Sequence, residues 1–264
     1  MPGFRTYLSV HVYGGVPGDF VEWVVSVVKD FYSRVGEGPD IVDLNIYSTR
    51  SVAEGVLTEE ALTLGVKVVG VYPAAHDAWR AIPRIHVIHS EVSRLPRELG
   101  RALIIHEAAH TVLHGTPLSY IVVTPEVVKD LKPEVSAKVV YIASVTVKDI
   151  DVVTYLLKKG FLQDVINYFK YVAEQESPGN VVDDVLTAFK VLAPLYPLKA
   201  ESPLSRYGDL LRRVVKTSAH SYILKAVEGS FNALASGDLD ARVAKASELL
   251  VKVLRRFCRA AITA

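Results

Sequence analysis

Leu103-Ile104-Ile105-His106-Glu107-Ala108-Ala109-His110-Thr111-Val112-Leu113-His114-Gly115 is the stretch on which the reading of this chain turns. Apolar residues flank a His-Glu-Ala-Ala-His core, and the absence of proline favours a continuous helix. On a helix, positions i and i+4 lie one turn apart on one face, so His106 and His110 can hold a single metal ion. Glu107 stands beside that face, where its carboxylate can take a proton from a water polarised by the metal. Gly115, followed by Thr116-Pro117, supplies the helix stop. The plainer alternative is a buried helix in which the two histidines merely pack, but a glutamate is rarely buried without a partner.

This motif resembles the active-site helix of the zincin metallopeptidases, the superfamily defined by His-Glu-x-x-His, and the resemblance spans residues 40–160. Upstream, Pro83 to Ser90 alternates like a half-buried strand. The resemblance implies that this is an edge strand on which an extended peptide is held by strand addition. The metzincin branch is excluded, because its glycine and third histidine fall where this chain has Leu113 and Thr116. The resemblance is to the gluzincin-like branch. It implies an α+β fold: a small mixed sheet, the motif helix and a mostly α-helical second half. It further implies a zinc-dependent peptidase, with His106 and His110 binding Zn2+, Glu107 as general base, and a peptide or protein as substrate. A rival from another class is a zinc-binding regulatory or pseudo-peptidase module without general proteolytic activity.

A catalytic zinc takes a third protein ligand. His114, Glu126, Glu134, Asp149 and Asp151 are the candidates. His114 lies two turns from His106 on a straight helix and suits a capping role better. Asp149 shares a helix face with Ile142, Val145, Val153 and Leu156, whereas Asp151 points nearly opposite with Ser144, Thr154 and Lys158. A carboxylate on an apolar face is costly unless paired or bound to metal, which singles out Asp149. In the gluzincin-like branch, and in the peptidases that cleave repressors, the third ligand is likewise an acidic residue on a later helix. It is usually Glu there, so Asp149 is a departure. His76, in an expected loop, with His86, His89, Tyr120, His220 and Tyr222, are secondary candidates for lining the site or stabilising an oxyanion.

Outward from the motif, Arg5 to Tyr13, Ile41 to Tyr47, Val66 to Tyr72 and Arg84 to His89 read as strands, and Asp19 to Arg34 as an amphipathic helix. After Pro117 long helical patterns take over: Pro133 to Lys159, Gln163 to Glu176, Val181 to Ala193, Leu204 to Ser236 and Leu239 to Ala260. The expected division is therefore 1–120, a core with the motif helix, and 121–264, a helical region that supplies the third ligand and covers the core.

Composition narrows the setting. The 264 residues carry a formal charge of +1, which speaks against general nucleic-acid binding. No apolar run of membrane-spanning length and no secretory leader are visible. Cys258 is the one cysteine, so no intrachain disulfide can form and a cytoplasmic location is expected. Sparse Gln, Asn, Met and Cys beside abundant Val, Arg, Lys and Glu lean toward a thermophile.

Overall fold

Two short apolar alternations and the residues between them build the first half of the structure, a computed structural model that describes residues 6–64, 72–175, 180–201 and 204–262. Strand β1 (Tyr7–Tyr13) leads to helix α1 (Gly18–Val35), β2 (Ile41–Tyr47) and helix α2 (Arg50–Leu64). Strands β3 (Ala74–Asp77) and β4 (Arg84–Ile88) follow, then the short α3 (His89–Val92) and α4 (Arg97–Leu113), which carries the motif. The strands form one four-stranded sheet in the order β1-β2-β4-β3. Here β1, β2 and β4 are mutually parallel, and β3 runs antiparallel to β4. The expected strand at Val66 to Tyr72 falls almost wholly outside the described residues, and α2 is a helix that apolar spacing did not mark.

Strand register assigns each face of the sheet. His76 pairs with Ile85, and Ala74 with Val87. Leu44 and Ile46 pair with the same two β4 residues, so these side chains share the face on which α4 packs. Asp77, Arg84, His86 and Tyr47 lie on the opposite face, where Tyr47 and Ile88 pack with Ala53 of α2. Because β4 is sandwiched on both sides, all five of its residues are buried. A strand covered on both faces reads as a continuous run instead of an alternation. That corrects one expectation: Arg84 to Ile88 is an interior strand, and among the described residues the edge is β3.

Helix α4 is buried on nearly every side, from Gly100 through Thr111. Helix α1 runs alongside it. A Cβ on Gly100 would stand 3.0 Å from Val92 Cγ1 and 3.1 Å from Trp23 Cη2, so its bare backbone allows that approach. Thr111 Oγ1 donates to Ala108 O at 2.7 Å. The hydroxyl has only one proton, so Tyr32 Oη must donate to Thr111 Oγ1. At the other end, the N–H of His114 donates to His110 O at 2.7 Å and closes the helix.

The chain divides into two compact units, Met1–Tyr120 and Ile121–Ala264. The second is helical: α5 (Pro133–Lys158), α6 (Leu162–Ala173), α7 (Val181–Leu195), α8 (Leu198–Glu201), α9 (Leu204–Val214), α10 (Ser218–Ala235), α11 (Leu239–Phe257) and α12 (Arg259–Ile262). The expected single helix from Leu204 to Ser236 is two helices. Thr217 breaks it, because its side chain accepts from His220 N and starts α10 afresh. Long α5 packs against α7 and α11. Arg242 of α11 joins three helices, donating to Leu234 O, Val147 O and, at 2.6 and 3.0 Å, both carboxylate oxygens of Asp151. No helix among the described residues is long and apolar enough to cross a membrane.

A pair of glycine variants tests this packing. A Cβ at Gly115 would fall 2.3 Å from Thr111 O, so Gly115→Ala should cost roughly 1–3 kcal/mol. Gly229, inside α10, has nothing within 4 Å of its added Cβ, so Gly229→Ala should stabilise by about 0.5–1 kcal/mol. Denaturant midpoints of the two variants should move in opposite directions.

Candidate metal centre

A helix buried on nearly every side forces its buried polar side chains to find partners inside the fold. On α4 those side chains are His106, Glu107 and His110, with His114 at the cap. His106 Nε2 and His110 Nε2 stand 3.2 Å apart, their rings steeply tilted. Both residues are buried. Two imidazole nitrogens bound to one tetrahedral zinc at about 2.0–2.1 Å would be separated by about 3.3–3.4 Å. The observed spacing therefore fits a shared ion.

Edge strand β3 completes the cluster. His76 stacks face to face on His110, ring centres 4.5 Å apart and planes 7° from parallel. Its Nδ1 lies 4.0 Å from Glu107 Oε2, and its Nε2 is 2.6 Å from Tyr120 Oη. His76, Glu107 and His110 each offer a ligating atom within 4.8 Å of the others. Burial, then the nearby carboxylates of Asp77 and Glu107, push the Tyr120 hydroxyl well above its usual range. It stays a protonated donor at neutral pH.

Behind the sheet, a charged network holds β3 in place. Arg84 donates to Asp77 Oδ1 at 2.8 Å and Oδ2 at 2.9 Å, and to both oxygens of Glu60 at 2.7 and 2.8 Å. His86 Nε2 meets Asp77 Oδ2 at 2.8 Å, and its Nδ1 meets Tyr47 Oη at 3.0 Å. Asp77 directly follows His76, so clamping it to β4 fixes His76 on the opposite face, toward His110. His86 is thus a buried brace behind the sheet, not a residue that lines the site. His89 begins α3, its ring edge-on to Phe20 at 4.7 Å.

The remaining candidates belong to the second unit. Asp149 lies on α5 and is 4% exposed. Its neighbour Lys148 is also buried, and that burial, only partly offset by Asp149, lowers the lysine's pKa. Asp151 is held by Arg242. Glu134 sits in the first turn of α5, and Glu126 in the short turn Glu126–Val128. His220 is engaged by Asp184 Oδ2 at 2.8 Å and Val214 O at 3.0 Å, while Tyr222 packs against Phe257. The residue that sequence reasoning undervalued is His76: it lies on a strand, not in a loop. Only the pairing of Asp77 with Arg84 could have announced it.

Comparison with protein-family profiles, curated proteins and solved structures found no match.

The Asp77 clamp leaves a signature in acid. Burial raises its carboxyl pKa, but the His86 and Arg84 bonds and charges outweigh that and hold it below 3.8. A depressed carboxylate contributes stability above its unfolded pKa and loses it as pH falls through the folded value. Asp77→Asn should flatten the stability-against-pH curve on the acid side of about pH 4, read from denaturant midpoints. Arg84→Met takes the guanidinium from buried Asp77 and half-buried Glu60 but leaves His86 on the first and Arg80 on the second, so it should cost roughly 1–3 kcal/mol at neutral pH. Arg50→Ala, which breaks a more exposed pair with Glu91, should cost at most about 1 kcal/mol.

Proposed function

We propose that this protein is a zinc-dependent peptidase of the zincin type. The observation that carries the reading is the 3.2 Å approach of His106 Nε2 and His110 Nε2 on a buried helix, with a carboxylate at the next position. Bound there, zinc would polarise the scissile carbonyl and acidify a water. Glu107 takes the proton from that water and returns it to the departing amine. The order of elements supports the reading: a mixed sheet ends in an antiparallel edge strand beside the motif helix. A peptide extended along β3 would gain main-chain hydrogen bonds next to Glu107. Tyr120, kept protonated, offers a donor for developing negative charge on the substrate oxygen.

Asp149 is proposed as the third ligand. Its support is the sequence pattern, which places it on the apolar face of its helix, together with its burial. A second reading keeps the metal but not the reaction. The close grouping of His76, Glu107 and His110 favours it. If Glu107 ligates, no general base is left, and the protein would be a zinc-binding regulatory module.

These readings separate cleanly. Protein purified without chelator should carry about one zinc per chain by elemental analysis. Glu107→Gln should abolish cleavage of an unstructured protein substrate while keeping the zinc. Loss of zinc in that variant would favour the regulatory module. Asp149→Asn should weaken zinc binding by roughly 10-fold or more, and His76→Ala by much less; the reverse order would move the third ligand to β3. Asp151→Asn should leave zinc affinity alone yet cost roughly 1–3 kcal/mol of stability, because Arg242 loses its carboxylate.

A further inference from the structure

One contact of the cluster has no part in the chemistry above. His110 Nδ1 lies 3.1 Å from His114 Nδ1, and both residues are buried. The two nitrogens of an imidazole point away from each other across the ring. His110 therefore meets His106 with one edge, through Nε2, and His114 with the other, through Nδ1. His114 consequently sits behind His110 with respect to the metal-facing nitrogen, which removes it as the third ligand.

A neutral imidazole carries one ring proton. If His110 presents its Nε2 lone pair to the metal, its proton must be on Nδ1. His110 is then the donor and His114 Nδ1 the acceptor, which obliges His114 to carry its own proton on Nε2. We infer that His114 is a positioning residue: it accepts the Nδ1–H bond of His110 and so locks the ring and tautomer in which Nε2 is free to bind metal. Metal-holding histidines ordinarily give this bond to a carboxylate, a backbone carbonyl or water. Here an imidazole four positions further along the chain receives it.

The backbone explains how His114 comes to lie there. Its φ of −131° and ψ of 26° depart from the helix while its N–H still reaches His110 O. The next residue, Gly115, passes so close to Thr111 O and Pro83 that no side chain fits. The chain thus turns tightly enough to fold the His114 ring back beneath His110.

The inference rests on the reading of His110 as a ligand, and the test separates the two. The probe is zinc itself, competed against a chromophoric chelator, with long-range proton–nitrogen spectra of the histidine rings. Asn at 114 sets an amide oxygen where His places Nδ1, whereas Leu offers no acceptor. His114→Leu should lose roughly 10–100-fold in zinc affinity, and His114→Asn should recover most of it. In the metal-free wild type, His110 should show the Nδ1–H tautomer with coupling to His114 Nδ1 across the hydrogen bond, and His114→Leu should show mixed tautomers. Wild-type zinc affinity in His114→Leu, failure of Asn to rescue in a folded variant, or a His110 proton on Nε2 would each overturn the assignment. If the wild type binds no zinc but shows the Nδ1–H tautomer, the peptidase reading fails and the His110–His114 bond stands. If His114→Leu does not fold, the wild-type spectrum and the Asn variant decide alone.

Discussion

Everything in the first unit depends on satisfying polar side chains along a helix that has no water-facing side at its centre. Leu103, Ile104, Ile105, Ala108 and Ala109 bury α4 and place His106 and His110 in the same dry interior. Two imidazoles in such surroundings cannot rely on solvent, so a nitrogen that meets a partner or an ion avoids a desolvation cost. The 3.2 Å approach of their Nε2 atoms is the outcome.

The clamp explains how a four-residue strand can hold His76 against His110. Ala74–Asp77 is too short to be fixed by ladder bonds alone. Bidentate pairing of Arg84 with Asp77, and His86 bound to the same carboxylate, tie β3 to β4 in one register. A one-residue slip would turn His76 to the α2 face and Asp77 toward α4. Register therefore decides whether His76 reaches His110.

How much of this was legible depended on whether the signal was local. The His106–His110 pair could be read directly, because i and i+4 spacing is a property of one helix. Strand β2 was bounded as expected at Ile41 and Tyr47, and α5 begins at Pro133, a residue suited to a first helical turn. By contrast, β3 is Ala-Ala-His-Asp, with no β-branched residue to mark it. The stacking of His76 on His110 joins residues 34 positions apart through an antiparallel pairing that spacing cannot reveal. Helix α2 carries its apolar residues without a clear stripe, and Thr217 hid a new N-cap inside a helical pattern. His114 was placed correctly at the cap, but its bond to the other nitrogen of His110 needed coordinates.

The central claim is that His106 and His110 share one zinc ion through their Nε2 atoms. X-ray absorption at the zinc edge of the metal-loaded protein tests it most directly. The account predicts imidazole scattering from two histidines with nitrogen at about 2.0–2.1 Å, one such signal disappearing in each of His106→Ala and His110→Ala. A zinc shell made of solvent oxygen alone, or an imidazole signal unchanged by both substitutions, would contradict it.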